Sequence, residues 1–139
     1  MKLIIDSNIL LDVLYAREPH FEKSLSVWRL CEAGKLRGFV PVLTFANIVY
    51  IMRKELNEEK IKDCWEKLSK IFVFVDLRVA DIAMATKRKG KDFEDELQMV
   101  VAERVEVDYI ITRNIKDFRD SSIPALTPSE FMDSVAKGL

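Results

Sequence analysis

The sequence predicts a single three-layer α/β/α domain built around a parallel sheet of four or five strands. Short apolar segments alternate along the chain with stretches in which apolar residues recur every three or four positions, which is the order of βα units. The short segments are apolar at every position, as is typical of strands that helices cover on both faces. The length of 139 residues and the hydrophobic share of 49% suit one domain with a substantial core.

The predicted elements follow one another along the whole chain. The strands cover residues 3–5, 38–40, 72–75, 109–111 and 125–126. The helices follow Asp6, start near Pro19, Thr44 and Asn57, cover 79–87 and 95–104, and start again at the capping box 127–130. We expect Gly34 to end the second helix. We also expect strand 72–75 to be buried on both faces, and the apolar stripes that contain Ile51 and Trp65 to lie in the core.

Composition limits the partners and the location of the protein. Because 22 Lys and Arg residues stand against 23 Asp and Glu, the net charge of -1 excludes a chain that binds phosphate over its whole surface. A local basic patch could still bind nucleic acid. Cys31 and Cys64 have no other Cys or His at the spacing of metal ligands, so both suit core positions. No segment approaches the roughly 18 apolar residues that cross a membrane, so we expect a cytoplasmic protein without a membrane partner.

Polar side chains follow three of the predicted strands at the point where each strand ends. The first strand is followed by Asp6 and Asn8, the second by Thr44 and Asn47, and the fourth by Thr112, Arg113, Asn114 and Asp117. Asp95, with Asp92 one turn before it, opens the helix that leads into the fourth strand. Because the carboxyl ends of parallel strands meet at one edge of a sheet, we expect these side chains to converge there.

The carboxylates at this edge have two interpretations. Each Asp on its own could cap a helix, where it accepts hydrogen bonds from free N–H groups. Gathered carboxylates instead repel one another, and a cation between them relieves the repulsion. Mg²⁺ and Mn²⁺ prefer such oxygen ligands, and a centre of this kind can hydrolyse a phosphodiester without a histidine base. Asp6 favours the second interpretation because it directly follows a buried apolar segment.

Four sequence blocks resemble, in their order along the chain, the signature blocks of the PIN domain family. They are Asp-Ser-Asn-Ile-Leu-Leu-Asp at 6–12, Leu-Thr-Phe-Ala-Asn-Ile-Val-Tyr at 43–50, Asp-Phe-Glu-Asp-Glu-Leu-Gln at 92–98 and Ile-Thr-Arg-Asn-Ile-Lys-Asp-Phe at 111–118. The resemblance extends from Lys2 to the turn at 127–128. It is strongest to VapC-like toxin ribonucleases of the branch with an Asp-Phe-Glu-Asp block, a Thr-Arg-Asn block and Asn in the second block.

The resemblance implies a PIN-like fold and a ribonuclease that depends on Mg²⁺ or Mn²⁺. It also implies the toxin of a toxin–antitoxin pair, with RNA as substrate, a cognate antitoxin protein as partner and a homodimer as the assembly. By position, the catalytic and metal-binding acids are Asp6, Asp95 and Asp117. The supporting residues or further ligands are Asn8, Asn47, Asp92, Thr112 and Asn114.

The second block departs from the commoner PIN pattern. Many members carry Glu where this chain has Asn47, and a neutral amide is a weaker oxygen ligand than a carboxylate. Asp92 lies three residues before Asp95 and could supply a compensating carboxylate from the same helix face. Glu94 is expected to point elsewhere.

Basic residues flank the predicted acidic site and have two interpretations. They could contact RNA phosphates, or they could form an ordinary solvated turn. The residues are Arg88, Lys89, Lys91, Arg113 and Lys116.

Two alternative functions remain open from the sequence. A catalytically silent PIN-like domain that binds RNA or protein is suggested by Asn47. A phosphatase with Asp6 as nucleophile, of the haloacid dehalogenase type, is suggested by the position of Asp6 after the first strand. Its motif requires a second Asp two residues later, and this chain has Asn8 there.

Overall fold

A computed structural model describes residues 1–90 and 92–139, and a five-stranded parallel sheet lies at its centre. The strands are β1 (Lys2–Ile5), β2 (Arg37–Pro41), β3 (Val73–Val75), β4 (Tyr109–Ile111) and β5 (Ala125–Leu126). Their order across the sheet is β3-β2-β1-β4-β5. On β1, Ile4 pairs with Phe39 of β2 on one side and with Ile110 of β4 on the other. The first strand therefore lies in the middle of the sheet.

Helices connect the strands and cover the sheet. They are α1 (Ser7–Leu14), α2 (Phe21–Glu32), α3 (Val42–Ile51), α4 (Glu58–Ile71), α5 (Val79–Lys87), α6 (Phe93–Val105) and α7 (Pro128–Glu130). A 3₁₀ turn covers Ile115–Phe118, and a π turn over Phe131–Val135 continues α7. No helix within residues 1–90 and 92–139 is long and apolar enough to span a membrane.

The strand order places the helices on two sides of the sheet. From β1 to β3 the chain moves in one direction, and the connection from β3 to β4 brings it back past β1, so right-handed crossovers put α5 and α6 on the opposite face. Alternate residues of β1 serve the two faces. Leu3 packs in a core with Trp28 and Phe131, whereas Ile4 packs in a second core with Met99. The predicted three-layer α/β/α fold is confirmed.

Several predicted caps are present in the structure. Asn57 Oδ1 accepts a hydrogen bond from the backbone N–H of Lys60 at 2.9 Å and so starts α4. The side chains of Thr127 and Glu130 accept from each other's backbone N–H groups, as in a capping box. Gly34 has a φ of +75°, which a residue with a Cβ rarely adopts, and it follows α2 directly.

Other element boundaries differ from the prediction. The third helix begins at Val42 rather than near Thr44, because Pro41 ends β2 in extended conformation and occupies the cap position. The second helix begins at Phe21, after Pro19. The sixth helix begins at Phe93 rather than at residue 95, because the Asp92 side chain accepts from the backbone N–H of Asp95 at 3.0 Å.

Two predictions about burial are wrong. Strand β3 lies at the edge of the sheet, and Val73 is 39% exposed, so the strand is not buried on both faces. Ile51 and Trp65 are 48% and 40% exposed, although both stand on apolar stripes. Trp65 packs part of its ring against Phe45 and Phe74 at the margin of the core.

An ion pair joins α5 and α6 on the back of the sheet. Asp81 is only 3% exposed, and Arg104 donates to its two carboxylate oxygens at 2.9 and 2.8 Å. The backbone N–H of Arg78 also donates to Asp81 at 2.9 Å. Burial raises the pKa of Asp81, but these hydrogen bonds and the charges of both arginines outweigh it and hold the pKa below its usual value.

We predict that Asp81→Asn lowers the free energy of unfolding by about 2 kcal/mol near neutral pH, since it leaves Arg104 without its carboxylate. Because the folded-state pKa is lowered, the stabilisation is complete above the unfolded value of about 4 and is lost as the pH falls through the folded value. Urea unfolding of both proteins should therefore give a difference that shrinks at acidic pH. Asp63→Asn, an exposed change on α4, is the control. A difference independent of pH would contradict the assignment.

Candidate active site

Asp6 lies where β1 passes into α1 at the carboxyl edge of the sheet. Its Oδ1 accepts from the backbone N–H of Ser7 at 2.8 Å. Its Oδ2 accepts from the Thr112 hydroxyl at 2.7 Å and from the Asn8 amide at 3.2 Å. Burial raises the pKa of Asp6, the hydrogen bonds from Thr112 and Ser7 lower it in part, and the charge of Asp117 raises it further. The carboxylate is therefore fixed in position and close to a second acid.

The loop after β4 brings three predicted residues to Asp6. Thr112 is fully buried, and its hydroxyl accepts from the backbone N–H of Asn114 at 3.0 Å while it donates to Asp6. The following 3₁₀ turn, Ile115–Phe118, carries Asp117. Thr112 thus links Asp6 to the segment that places Asp117.

Asp95 joins this group from the first turn of α6. Burial raises the pKa of Asp95 to about 7, together with the negative charges of its neighbours, of which Asp92 has the largest effect and Asp117, Asp6 and Glu94 follow. Side chains that affect one another in this way lie near one another, since such effects weaken with distance. Asp95 and Asp117 line one open cavity, and the charge of Asp6 also reaches Asp95.

Glu94 also faces the site, and the expectation that it points elsewhere is wrong. Its Oε1 accepts from the Asn47 amide at 2.6 Å, and it lines one pocket with Asp6. The reason is the start of α6: because Asp92 is the cap, Glu94 falls in the first turn and faces α3. The spacing of four residues between Glu94 and Gln98, which lines the same pocket, is a sequence signal that could have revealed this orientation.

The donor set suits a divalent metal ion, although its side chains are not already arranged as a coordination sphere. Among residues 1–90 and 92–139, no three Asp, Glu, His or Cys side chains form a group ready to hold a metal ion. The available donors are nevertheless hard oxygen atoms, and their mutual repulsion is visible in the raised pKa of Asp95. An open cavity of about 470 Å³ gives access to Asp92, Asp95 and Asp117.

The flanking basic residues fall into two groups. Lys89 and Lys116 line the same open cavity as the acids. Arg88 instead pairs with Glu103, and Arg113 donates to Asp12 at 2.8 and 3.1 Å. Arg88 and Arg113 therefore have carboxylate partners within the protein, and a contact with RNA phosphates stays a prediction for both. Lys91 lies outside the described residues.

A buried ion network lies next to the candidate site, and it was not predicted from the sequence. Asp12 of α1 is fully buried and accepts from Arg113, from Arg17 at 3.0 Å and from the Ser24 hydroxyl at 2.9 Å. Arg113 also directs its backbone N–H at Asn8 Oδ1, at 3.4 Å. The network ties α1 and α2 to the loop after β4. An Asp on the apolar side of a helix is the signal that could have indicated it.

Comparison with known proteins agrees with this architecture. A family model described as PIN domain matches residues 2–116. A chain of a toxin-antitoxin complex from Klebsiella pneumoniae is 23% identical, with a TM-score of 0.66 and coverage of 91% of this chain and 97% of that chain. A second structure is that of VapBC2 from Rickettsia felis bound to a DNA fragment from its promoter. The matching chain is 14% identical, with a TM-score of 0.65 and coverage of 91% of this chain and 98% of that chain.

A third structure is that of VapC20 from Mycobacterium tuberculosis, described as a sarcin-ricin loop cleaving toxin. It is 10% identical, with a TM-score of 0.60 and coverage of 78% of this chain and 86% of that chain. At these identities the likeness shows a shared fold. None of the curated proteins matches the chain.

We predict that Asp12→Ala lowers the free energy of unfolding by about 3 kcal/mol, because it leaves two arginines without their shared carboxylate. Arg17→Ala should cost about 1 kcal/mol or less, since the Arg17 side chain is 38% exposed and Arg113 still pairs with Asp12. Urea unfolding of the two variants measures the difference. Equal losses would show that Asp12 is not the centre of the network.

We predict that the Asp95 carboxyl of the metal-free protein titrates with a midpoint at about 7. Its folded-state pKa is raised, so the free energy of unfolding decreases as the pH rises from the unfolded value of about 4 through the folded value. Carbon-13 NMR of the carboxyl group in the presence of EDTA measures the midpoint. Asp92→Asn keeps a good helix cap but removes one negative charge, and should lower the midpoint. A midpoint of about 4 in the wild-type protein would contradict the conclusion that burial and neighbouring negative charges raise the pKa of Asp95.

Proposed function

Because the chain belongs to the PIN domain family, we propose that it is a divalent-metal-dependent ribonuclease whose catalytic acids are Asp6, Asp95 and Asp117. One observation carries the proposal. Asp6, Asp95 and Asp117 come from distant parts of the sequence, yet the charge of Asp117 adds to the effect of burial in raising the pKa values of Asp6 and Asp95. Such crowding is unfavourable in an empty acidic site and becomes favourable when a cation is bound.

The three acids would hold Mg²⁺ or Mn²⁺, with Asp92 and Asn47 as further oxygen donors. A bound ion supplies a water of lowered pKa for attack on phosphorus and offsets the charge of the phosphodiester. The protein contributes the orientation of its own groups. Thr112 and Asn8 fix one oxygen of Asp6, and Asn114 holds the Thr112 hydroxyl.

Lys89 and Lys116 would guide the RNA strand to the acids. Both line the open cavity that contains Asp95 and Asp117, and their positive charges attract phosphate groups that the carboxylates alone would repel. The cavity is open to solvent, so the acids and lysines that line it are accessible to a phosphate group. Binding that depends on these contacts weakens with salt.

The biological role that we propose is that of a toxin paired with an antitoxin protein. Its support is the family and the shared fold with chains of solved toxin-antitoxin complexes. We include in this proposal a homodimer, a cytoplasmic location and a single domain that spans residues 1–139.

A catalytically silent PIN domain is the second candidate, and the observation in its favour is Asn47. Its amide N–H points at Glu94, so a metal would have to be held with one carboxylate fewer on α3. No observation favours the phosphatase alternative, since Asn8 donates an N–H to Asp6 where that motif needs a second acid.

We predict that the purified protein cleaves single-stranded or structured RNA with Mg²⁺ or Mn²⁺ and that EDTA abolishes cleavage. Asp6→Asn and Asp95→Asn should each reduce the rate by about a hundredfold or more, because each removes a ligand charge. Gel-based cleavage of a labelled RNA measures the rate. Asp63→Asn, which changes an exposed acid on α4 by the same chemistry, should retain the wild-type rate.

The fold of each variant is checked by circular dichroism and by thermal unfolding. Calorimetric titration with Mn²⁺ separates the two candidate functions. Binding of Mn²⁺ together with cleavage supports the nuclease. A well-folded wild-type protein that binds neither Mn²⁺ at millimolar concentration nor cleaves RNA would favour the silent domain.

A further inference from the structure

A small pocket adjoins Asp6 on the side away from Thr112. It lies between the starts of α1 and α3 and the first two turns of α6, and Ser7, Thr44, Glu94 and Gln98 contribute polar groups to it. The remaining wall is apolar and comes from Pro41, Leu43, Leu77, Leu97 and Val101. Its free volume is about 20 Å³. The pocket is distinct from the open cavity that leads to Asp95 and Asp117.

Gln98 lines this pocket and carries a buried donor without a partner among the described residues. The residue is 8% exposed, and its Nε2 is the one buried side-chain nitrogen or oxygen in residues 1–90 and 92–139 that has no hydrogen-bond partner. It stands one helical turn after Glu94, so both side chains lie on the face of α6 that lines the pocket. A buried amide N–H without a partner is unfavourable, which indicates that a polar group belongs beside it.

Asp6 and Glu94, which also line the pocket, have carboxylate oxygens with room for further hydrogen bonds. Asp6 Oδ1 accepts from the Ser7 backbone N–H, whereas Oδ2 already has two partners from other residues. Glu94 uses Oε1 for the Asn47 amide, and within residues 1–90 and 92–139 its Oε2 accepts no hydrogen bond. A carboxylate oxygen can accept two hydrogen bonds. One donor and two carboxylates therefore surround a space with no direct contact between them.

We propose that this pocket binds one water molecule, which accepts a hydrogen bond from Gln98 Nε2 and donates to the carboxylates of Asp6 and Glu94. The size selects the ligand, since a water needs about 10–15 Å³ by this measure and a nucleobase needs far more. The number of polar partners also suits a buried water, which typically makes about three hydrogen bonds. The assignment of a water molecule to this pocket does not depend on the proposed nuclease function.

The consequence for the reaction, which rests on the proposed nuclease function, is that Gln98 is a positioning residue. Thr112 and Asn8 hold Oδ2 of Asp6 from the side of β4. The water held by Gln98 supports Oδ1 from the opposite side. Together with the hydrogen bond that Oδ1 accepts from the Ser7 backbone N–H, this second contact on Oδ1 further restricts rotation of the Asp6 carboxylate.

The first experiment observes the water directly. Gln98 is the only glutamine in the sequence, so selective glutamine labelling gives a single side-chain amide signal in NMR. We expect cross-relaxation between these amide protons and a long-lived water. A crystal structure should show that water within about 3.2 Å of both Gln98 Nε2 and Asp6 Oδ1. An amide that contacts no such water, or a pocket filled by side-chain rearrangement, overturns the water site.

The second experiment tests the positioning role. Gln98→Met keeps the length of the side chain but removes the donor, and should lower kcat for RNA by about tenfold with KM within about twofold. Because the apolar side chain suits a pocket with apolar walls, the variant should melt no lower than the wild type. Leu97→Met, which alters the same pocket without removing a polar group, is the matched control and should retain its kcat.

The outcomes separate this inference from the proposed function. A wild-type kcat in Gln98→Met, or an equal loss in Leu97→Met, overturns the positioning role. A wild-type protein that cleaves no RNA overturns the nuclease proposal and the positioning role with it. The direct observation of the water still decides whether the pocket is a water site.

Discussion

The pairing of β1 with β4 is the contact on which the candidate site depends. Ile5 lies opposite Ile111, and the Asp6 backbone N–H donates to the Ile111 carbonyl at 3.0 Å. The next residue of each strand is therefore carried to the same point, and the Asp6 carboxylate meets the Thr112 hydroxyl across 106 positions of sequence. The chain reverses its direction of travel across the sheet between these two strands, which is where open α/β sheets form their binding crevice.

The same geometry creates an electrostatic problem that the fold must offset. Burial and the charges of neighbouring acids raise the pKa values of Asp6 and Asp95, so the metal-free site opposes folding at neutral pH. Buried ion pairs elsewhere in the fold stabilise it. Asp12 receives two arginines and a hydroxyl in a fully buried position, and Asp81 binds α5 to α6. Opposite charges are thus paired around Asp12 and Asp81, whereas like charges lie near one another at the candidate site.

Local sequence signals predicted the elements that depend on local interactions. The bounds of α5, β4 and β5 agree with the structure, and Asn57 caps α4, because apolar spacing and cap chemistry act over a few residues. The exposure of Trp65 and the edge position of β3 could not be predicted in this way, since both depend on which strand lies outermost in the sheet.

The general rule about strand ends predicted that the acids converge. It did not predict which side chains form hydrogen bonds or ion pairs with one another. Asp12 pairs with Arg113, and Gln98 lines a pocket with residues from other elements. These contacts join distant parts of the sequence, so they exist only once β4 and α6 are placed in the fold. Arg113 shows the same limit. The charge of Arg113 suggested a contact with phosphate. Only the fold reveals that Arg113 pairs with the buried carboxylate of Asp12.

Asn47 and Glu94 are best understood as a complementary pair. An amide at position 47 can donate a hydrogen bond to the Glu94 carboxylate, as it does at 2.6 Å. A glutamate at that position would have no donor to offer and would add a further negative charge beside Glu94, whose pKa burial and the charges of Asp92 and Asp6 already raise. The Glu94 carboxylate at the start of α6 and the Asn47 amide of α3 are thus matched in both charge and hydrogen bonding.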